Sequence, residues 1–274
     1  MKRKWIRWVS WILLTPIILF VILMVLLYVP PVQNLLRREV TAYASKATGM
    51  QIQVERIDLR FPLNLLVRGV EVIQQPDTLL SLESLNVRVQ AWPLIKGKVE
   101  VDEVTLSRVA VNSADLMEGM KIKGVLGRFF LQSHGVDLSN ELAVINQVEL
   151  SDTHMQLLMN DTTTTPKDTT ASAPINWKVA LHQLKLKNVS FSMQLPADSM
   201  RMTAHIGEAA INDAQADLKN QYYDLKKFLL LGTSASYDTG TAQPTEGFDA
   251  SHIAVRDIRI ALDSLLYKGR DMNA

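Results

Sequence analysis

One stretch of this sequence, residues 179–191, reads VALHQLKLKNVSF and arranges its apolar residues in three pairs. The pairs are Val179 with Leu181, Leu184 with Leu186, and Val189 with Phe191. Alternation of apolar and polar residues predicts a β-strand with one buried face. The two residues between successive pairs shift the alternation, so on a straight strand the next pair would point to the opposite face. A β-bulge or a tight bend must therefore absorb the extra residue at each insert.

The same pattern recurs along the chain. Two-pair copies begin at Ile52, Leu65 and Leu80, and three-pair copies begin at positions 99, 143, 179, 204 and 248. Several inserts contain residues that tolerate a bend, namely Arg68-Gly69, Lys187-Asn188, Asn212-Asp213 and Arg256-Asp257. We expect a mainly β fold, an elongated and repetitive curved or twisted sheet with short helices and one continuous apolar face. The residues predicted to line this apolar groove are Val99, Val101, Val104, Leu106, Val109, Val111, Val148, Leu150, Leu184, Leu186, Val189, Phe191, Ile253, Val255, Ile258 and Ile260.

Four other segments depart from the pattern. Residues 115–132 contain three glycines and look helical or irregular, and residues 214–231 carry apolar side chains at helical spacings. Residues 92–97 read as a short helical or turn link. Residues 160–174 are rich in Thr, Ser and Pro, which predicts a flexible insert.

The N-terminal segment has the features of a membrane anchor. Residues 12–29 are apolar apart from Thr15 and Pro16, and as a helix they would extend about 27 Å, close to the hydrocarbon thickness of a bilayer. Basic residues before the segment predict that the N-terminus stays in the cytoplasm, and aromatic residues mark both ends. The residues carrying this prediction are Lys2, Arg3, Lys4, Arg7, Trp8, Trp11 and Tyr28. A cleaved signal peptide ending at Ala42-Tyr43-Ala44 is the alternative.

An amphipathic helix is predicted directly after the anchor. Residues 32–48 follow Pro30-Pro31, place apolar residues three and four positions apart, and precede Gly49. Its apolar side could lie on lipid headgroups or pack over the end of the following sheet. We therefore divide the chain into a basic start with a transmembrane anchor at 1–30, a juxtamembrane helix at 31–49, and a repeated strand region at 50–274.

Composition removes several classes of function. The formal net charge is +1, and because four basic residues precede position 30, the remainder carries −3. Without a basic surplus or stripe after the anchor, nucleic-acid binding is not predicted. The chain has no cysteine, its five histidines lack metal-ligand spacing, and no phosphate-binding or hydrolase motif occurs. We predict no catalytic residue, no metal ligand and no cofactor.

The order of these features resembles the N-terminal part of the AsmA-like superfamily, and most closely its TamB branch. The resemblance begins with the basic start, the membrane helix, and a second helix that closes at Ala47-Thr48-Gly49. It continues through strands at 51–59, 65–72 and 82–89, the link at 92–98 and the strand at 99–106. Coverage is good to about residue 111 and looser beyond.

The resemblance implies a single-pass protein of the bacterial inner membrane whose bulk lies in the periplasm. Members of this family form a long β-groove thought to conduct phospholipids toward the outer membrane, and TamB-like members also partner an outer-membrane barrel of the Omp85 type. TamB-like chains are several times longer, so we expect this chain to be a fragment of a longer protein.

Three functions remain open from the sequence. The first is transport of phospholipid acyl chains along the apolar groove. The second is a scaffold that assists outer-membrane protein insertion by pairing a strand edge with a client or a barrel partner. The third is a membrane-anchored repeat protein that binds other proteins. The apolar pairs fit a lipid-lined groove or the closed core of an ordinary β-sandwich.

Overall fold

The structure, a computed structural model, describes residues 29–61, 63–90, 92–93, 100–113, 119–137, 141–159, 176–197, 199–240 and 246–268. Within these ranges, helix α1 (Pro30–Thr48) precedes eleven strands that form a single sheet. The strands are β1 (Gln51–Arg60), β2 (Asn64–Gln74), β3 (Asp77–Val89), β4 (Val101–Asn112), β5 (Met120–Asp137), β6 (Leu142–Met159), β7 (Lys178–Leu195), β8 (Met200–Asp217), β9 (Tyr222–Asp238), β10 (His252–Leu262) and β11 (Leu265–Lys268).

The sheet is open and curved, and its strands are neighbours in the order in which they occur along the chain from β1 to β10. Strand β11 continues beside β9 after β10 ends. All neighbours pair antiparallel except β6 and β7, which are parallel. A parallel pair needs a crossover connection, and here it runs through residues 160–175, which include the predicted flexible insert and lie outside the described residues.

Apolar residues align across the strands in continuous rows. Side chains of paired residues point to the same face, so each row forms one apolar stripe perpendicular to the strands. Two central rows cross ten strands without interruption. The first contains Leu59, Leu65, Val87, Val104, Leu131, Val148, Leu184, Ile211, Phe228 and Leu262, and the second contains Ile57, Val67, Leu85, Leu106, Phe129, Leu150, Leu186, Ala209, Leu230 and Ile260.

The inserts between apolar pairs align as well. At the inserts from β1 to β8, one residue on each of two neighbouring strands has no partner, yet the register is the same on both sides, as with Leu186↔Ala209 and Val189↔Ile206. We call the aligned residues the first kink line: Glu55, Gly69, Glu83, Arg108, Gly127, Asp152, Asn188 and Gly207. A second kink line crosses β6 to β9 through Asn146, His182, Asp213 and Lys226.

Left-handed backbone conformations occur along both lines. The φ angles are 57° at Gly69 and 53° at Asn188 on the first line and 55° at Asp213 on the second. Asp257 of β10, outside both lines, has a φ of 52°, so each of the four inserts predicted to bend contains one such residue. Arg108 and Asp152 have φ angles of 47° and 51°. The extra residue is thus absorbed by a bend that neighbouring strands share, which lets the apolar pairs on its two sides return to one face.

Two predictions of secondary structure were wrong. Residues 115–132 were expected to be helical or irregular, but β5 begins at Met120; residues 214–231 were expected to be helical, but they belong to β8 and β9. In β9, Tyr223, Leu225, Phe228 and Leu230 follow the paired pattern, whose three-residue step resembles a helical spacing. In β5, the glycines that suggested a loop are strand residues.

Helix α1 lies along the free edge of β1 and contacts it through polar side chains. Gln33 Nε2 donates to the Leu59 carbonyl oxygen at 3.0 Å, and Arg37 donates to that of Val54 at 3.0 Å. The Ile52 amide donates to Ser45 Oγ at 3.0 Å. These bonds satisfy backbone groups that an edge strand leaves unpaired. The helix therefore lies along β1, at one end of the sheet.

The helix ends as its sequence predicts. Gly49 adopts a φ of 70° and its N–H donates to the Ser45 carbonyl oxygen at 3.0 Å. Pro30 occupies the first turn, where its missing N–H is tolerated. Among the described residues, no helix combines the length and hydropathy needed to cross a bilayer. The predicted anchor residues Lys2, Arg3, Lys4, Arg7, Trp8, Trp11 and Tyr28 lie outside the described part of the chain.

The sheet has little enclosed core. Within the described ranges, the buried apolar residues are Ile57, Leu79, Leu82, Ala143 and Ala209, and no large side chain is completely buried. The described strands form a single layer, so the sandwich alternative finds no second sheet there. Several of the buried positions carry small side chains, such as Ala209, Thr153 and Ser133.

The close approach of β8 and β9 predicts an unusual response to substitution at Gly207. A Cβ atom there would lie 3.0 Å from the Gly232 carbonyl oxygen and 3.1 Å from that of Leu231. Alanine normally stabilises a strand relative to glycine by roughly 0.5–1 kcal/mol. Because the backbone of β9 must move, we expect Gly207→Ala to lower the free energy of unfolding by about 1–3 kcal/mol.

Thermal unfolding of the full chain in detergent, followed by circular dichroism, measures the effect. Gly240→Ala is the control, because a Cβ atom there meets nothing within 4 Å and only the φ of 79° opposes it. We expect a smaller loss in the control. A Gly207→Ala protein at least as stable as the parent would contradict the close approach of the two strands.

Candidate functional site

The predicted groove residues that the structure describes all fall in cross-strand rows. Val99 lies outside the described residues. The central rows contain Val104, Leu106, Val148, Leu150, Leu184, Leu186 and Ile260. Beyond the first kink line are Val109, Val111, Val189, Phe191, Val255 and Ile258, while Val101 pairs with Val89 and Ile253 with Tyr237. Residues predicted from separate motifs are thus adjacent in space.

Two strands contribute residues that sequence reasoning missed. Phe129 and Leu131 of β5 continue the central rows between β4 and β6, and Phe228 and Leu230 of β9 continue them between β8 and β10. The paired pattern of β9 could have predicted these residues, but its three-residue step also resembles the spacing of a helix. With these strands in place, the apolar face is unbroken from β1 to β10.

The apolar face is large for a monomer. Ten strands spaced about 4.8 Å apart span about 43 Å, and the eight positions from Val148 to Met155 extend about 23 Å, an area on the order of 1,000 Å². The largest apolar patch of a typical monomeric protein is about 300–600 Å². Phe191 is 41% exposed and Val255 46% exposed on this face. Such a surface is typical of a binding site.

The opposite face is largely polar. One row beside the first kink line is polar from β1 to β8 and ends at Leu231 of β9; its polar members are Arg56, Arg68, Ser84, Ser107, Arg128, Ser151, Lys187 and Glu208. Phe130 is an apolar residue on this face. The Arg128 guanidinium lies 5.8 Å from the centre of its ring and covers part of it. The two faces therefore differ in chemistry over most of the sheet, and the polar one suits water.

Polar side chains bridge neighbouring strands along the kink lines. Arg108 forms an ion pair with Glu83, and Asn188 Nδ2 donates to Asp152 Oδ1 at 2.7 Å. On the second kink line His182 Nδ1 and Asp213 Oδ1 are 3.1 Å apart. These groups link strands where the backbone ladder loses a pair, so a structural role accounts for them. Among the described residues no group of three or more His, Asp or Glu is placed to hold a metal ion.

The pKa of Asp217, at the turn between β8 and β9, is lowered. The main cause is the backbone N–H of Asn220, which donates to Asp217 Oδ1 at 3.1 Å, and Lys178 adds a favourable charge. Since the folded-state pKa lies below the unfolded value, this carboxylate contributes stability at neutral pH and loses it as acid protonates the group. The shift reflects turn formation.

Two basic groups have raised pKa values for similarly local reasons. The pKa of Lys226 is raised chiefly by its hydrogen bond to Asp224, at 2.8 Å, and the pKa of Arg259 by its hydrogen bonds to Asp257, the shorter at 2.9 Å. Each pair joins residues two positions apart on one strand. These exposed pairs have the properties of ordinary surface interactions.

Comparison with known proteins adds no identification. The chain matches no family model and no curated protein. The resemblance to the AsmA-like superfamily therefore remains a prediction.

The bend at Asn188 predicts a graded response to substitution. Its φ of 53° suits glycine and asparagine, while a β-branched residue there is strained. We expect Asn188→Val to lower the free energy of unfolding by about 2 kcal/mol and Asn188→Gly, which loses only the bond to Asp152, by about 1 kcal/mol or less. Urea unfolding of the full chain compares the two, and a valine variant as stable as the glycine variant would exclude the left-handed bend.

Proposed function

We propose that this chain is an inner-membrane-anchored periplasmic protein that carries phospholipid acyl chains along its apolar face, toward the outer membrane of a diderm bacterium. The observation that supports the proposal is one apolar face shared by ten strands, over which the described residues place no second layer. The resemblance to the AsmA-like superfamily supplies the anchor, the compartment and the direction. The anchor itself rests on the apolar sequence of residues 12–29.

Acyl chains suit this face because its central rows contain only hydrocarbon side chains. Each methylene group removed from water contributes about 0.8 kcal/mol without requiring a particular orientation. Neighbouring strands present similar residues at each level, as with Leu150, Leu186 and Ala209 in the second central row. An acyl chain that shifts by one strand therefore exchanges one set of contacts for a similar one, which favours movement along the face.

Adjacent positions on β7 provide a matched test. Phe191 belongs to an apolar row, whereas Ser192 pairs with Gln156 and Thr203 on the polar face. Phe191→Asp and Ser192→Asp introduce the same charge on opposite faces of one strand. A carboxylate against an acyl chain is unfavourable because it loses its hydration. We expect several-fold less phospholipid to remain bound in Phe191→Asp and no change in Ser192→Asp.

Native mass spectrometry of the full chain, purified in mild detergent, counts the bound phospholipid. Far-UV circular dichroism checks that both variants are folded, which the 41% exposure of Phe191 favours. Equal lipid occupancy in the parent and both variants would place the lipid on the anchor alone. That result would refute binding along the sheet.

The uncovered edge of the sheet favours a second candidate, a scaffold for insertion of outer-membrane proteins. Helix α1 covers the edge at β1, but among the described residues nothing pairs with the outer side of β10. Leu262, Leu265 and Tyr267 near this edge are 40%, 54% and 54% exposed. A free edge can accept a strand from a client or from an Omp85-type barrel by β-augmentation.

Photo-crosslinking in cells separates the two candidates. A crosslinking residue at Ile258 of β10 should capture an outer-membrane barrel protein if the scaffold function is correct. The same residue at Val125, 50% exposed on the polar face of β5, is the control. Capture of lipid alone at Ile258 supports transport, and capture of the same proteins at both positions contradicts a specific edge contact.

A further inference from the structure

Helix α1 contacts the sheet through one side and leaves apolar side chains on the rest of its surface. Gln33, Arg37 and Ser45 bond to the edge of β1. Leu35 is 58% exposed, Val40 46% and Tyr43 77%. Packing against the sheet therefore does not explain these three apolar residues.

The position of the helix in the chain indicates what covers them. The apolar segment of residues 12–29 ends at Val29, and α1 begins at Pro30 with no linker between. If that segment crosses the bilayer as the proposed function requires, α1 starts at the membrane surface. Its Arg37, Arg38 and Lys46 outweigh its one acidic residue, Glu39, which favours a surface that contains anionic lipid.

We propose that α1 lies in the membrane interface, with Leu35, Val40 and Tyr43 inserted among the lipid headgroups. Tyrosine suits this depth because its ring is apolar and its hydroxyl stays hydrated. Leucine and valine add apolar area, while Arg38 and Lys46 extend their charged ends toward phosphate groups. The inference rests on the membrane anchor of the proposed function but does not require lipid transport.

This placement fixes the direction of the strands. Along α1, Gln33, Arg37 and Ser45 meet Leu59, Val54 and Ile52 in turn, so the helix runs antiparallel to β1 and beside it. A helix in the plane of the interface therefore holds β1 parallel to the membrane surface. The apolar rows run perpendicular to the strands. They then begin at the membrane, at β1, and extend across the sheet.

Spin labelling tests the placement directly, because the chain has no cysteine to replace first. Val40→Cys and Tyr43→Cys are labelled in the full chain, reconstituted in vesicles of phosphatidylethanolamine and phosphatidylglycerol. Val125→Cys is the matched control, since Val125 is 50% and Val40 46% exposed. We expect the ratio of oxygen to nickel-chelate accessibility to be several-fold higher at positions 40 and 43 than at 125.

Equal ratios at the three positions would overturn the proposal. If the labels at 40 and 43 report insertion while no phospholipid occupies the sheet in the Phe191→Asp comparison, the transport function fails and the interfacial helix stands. If phospholipid occupies the sheet while both labels remain accessible to the nickel chelate, only the interfacial helix fails. A chain that does not associate with the vesicles contradicts the anchor and the interfacial helix together.

Discussion

The whole structure depends on one geometric constraint: every apolar pair must return to the same face after a two-residue insert. A strand that passed the insert without a bend would turn its next pair toward water. From β1 to β8 the constraint is met at the same level, because the unpaired residues align as a kink line from Glu55 to Gly207. If one strand bent at a different level, its neighbours would lose register with it. The alignment of the inserts therefore determines the register of the sheet.

The sequence predicted the parts of this fold that have a local cause. Gly69, Asn188, Asp213 and Asp257 can adopt left-handed backbone at low cost, and each does so within a predicted insert. Arg108 was not predicted to bend, because arginine has no such preference; its ion pair with Glu83 becomes visible only when the two strands are adjacent.

Local sequence patterns could not predict the features that arise from pairing between strands distant in sequence. The glycines of β5 read as loop residues, yet a Cβ atom at Gly127 would lie 2.7 Å from Asp152 Cβ, so the neighbouring strand explains that glycine. The parallel pairing of β6 with β7 likewise depends on where the crossover returns the chain. The groove residues were predictable as an apolar set, but their continuity required β5 and β9, which the sequence reading had misassigned.

The stability of a single-layer sheet is linked to the proposed ligand. Each strand is supported mainly by its two neighbours, as in repeat proteins, and no second layer within the described part of the chain buries the apolar face. The edges differ accordingly: polar side chains of α1 complete the backbone bonds of β1, while β10 has no such cover within the described residues. A ligand that covers the apolar face supplies the burial that a second layer gives a sandwich. Because such a ligand binds the folded sheet and not the unfolded chain, its occupancy adds to the stability of the fold. When the proposed ligand covers the apolar face, half-exposed residues such as Phe191 contribute to the stability of the fold as well as to binding.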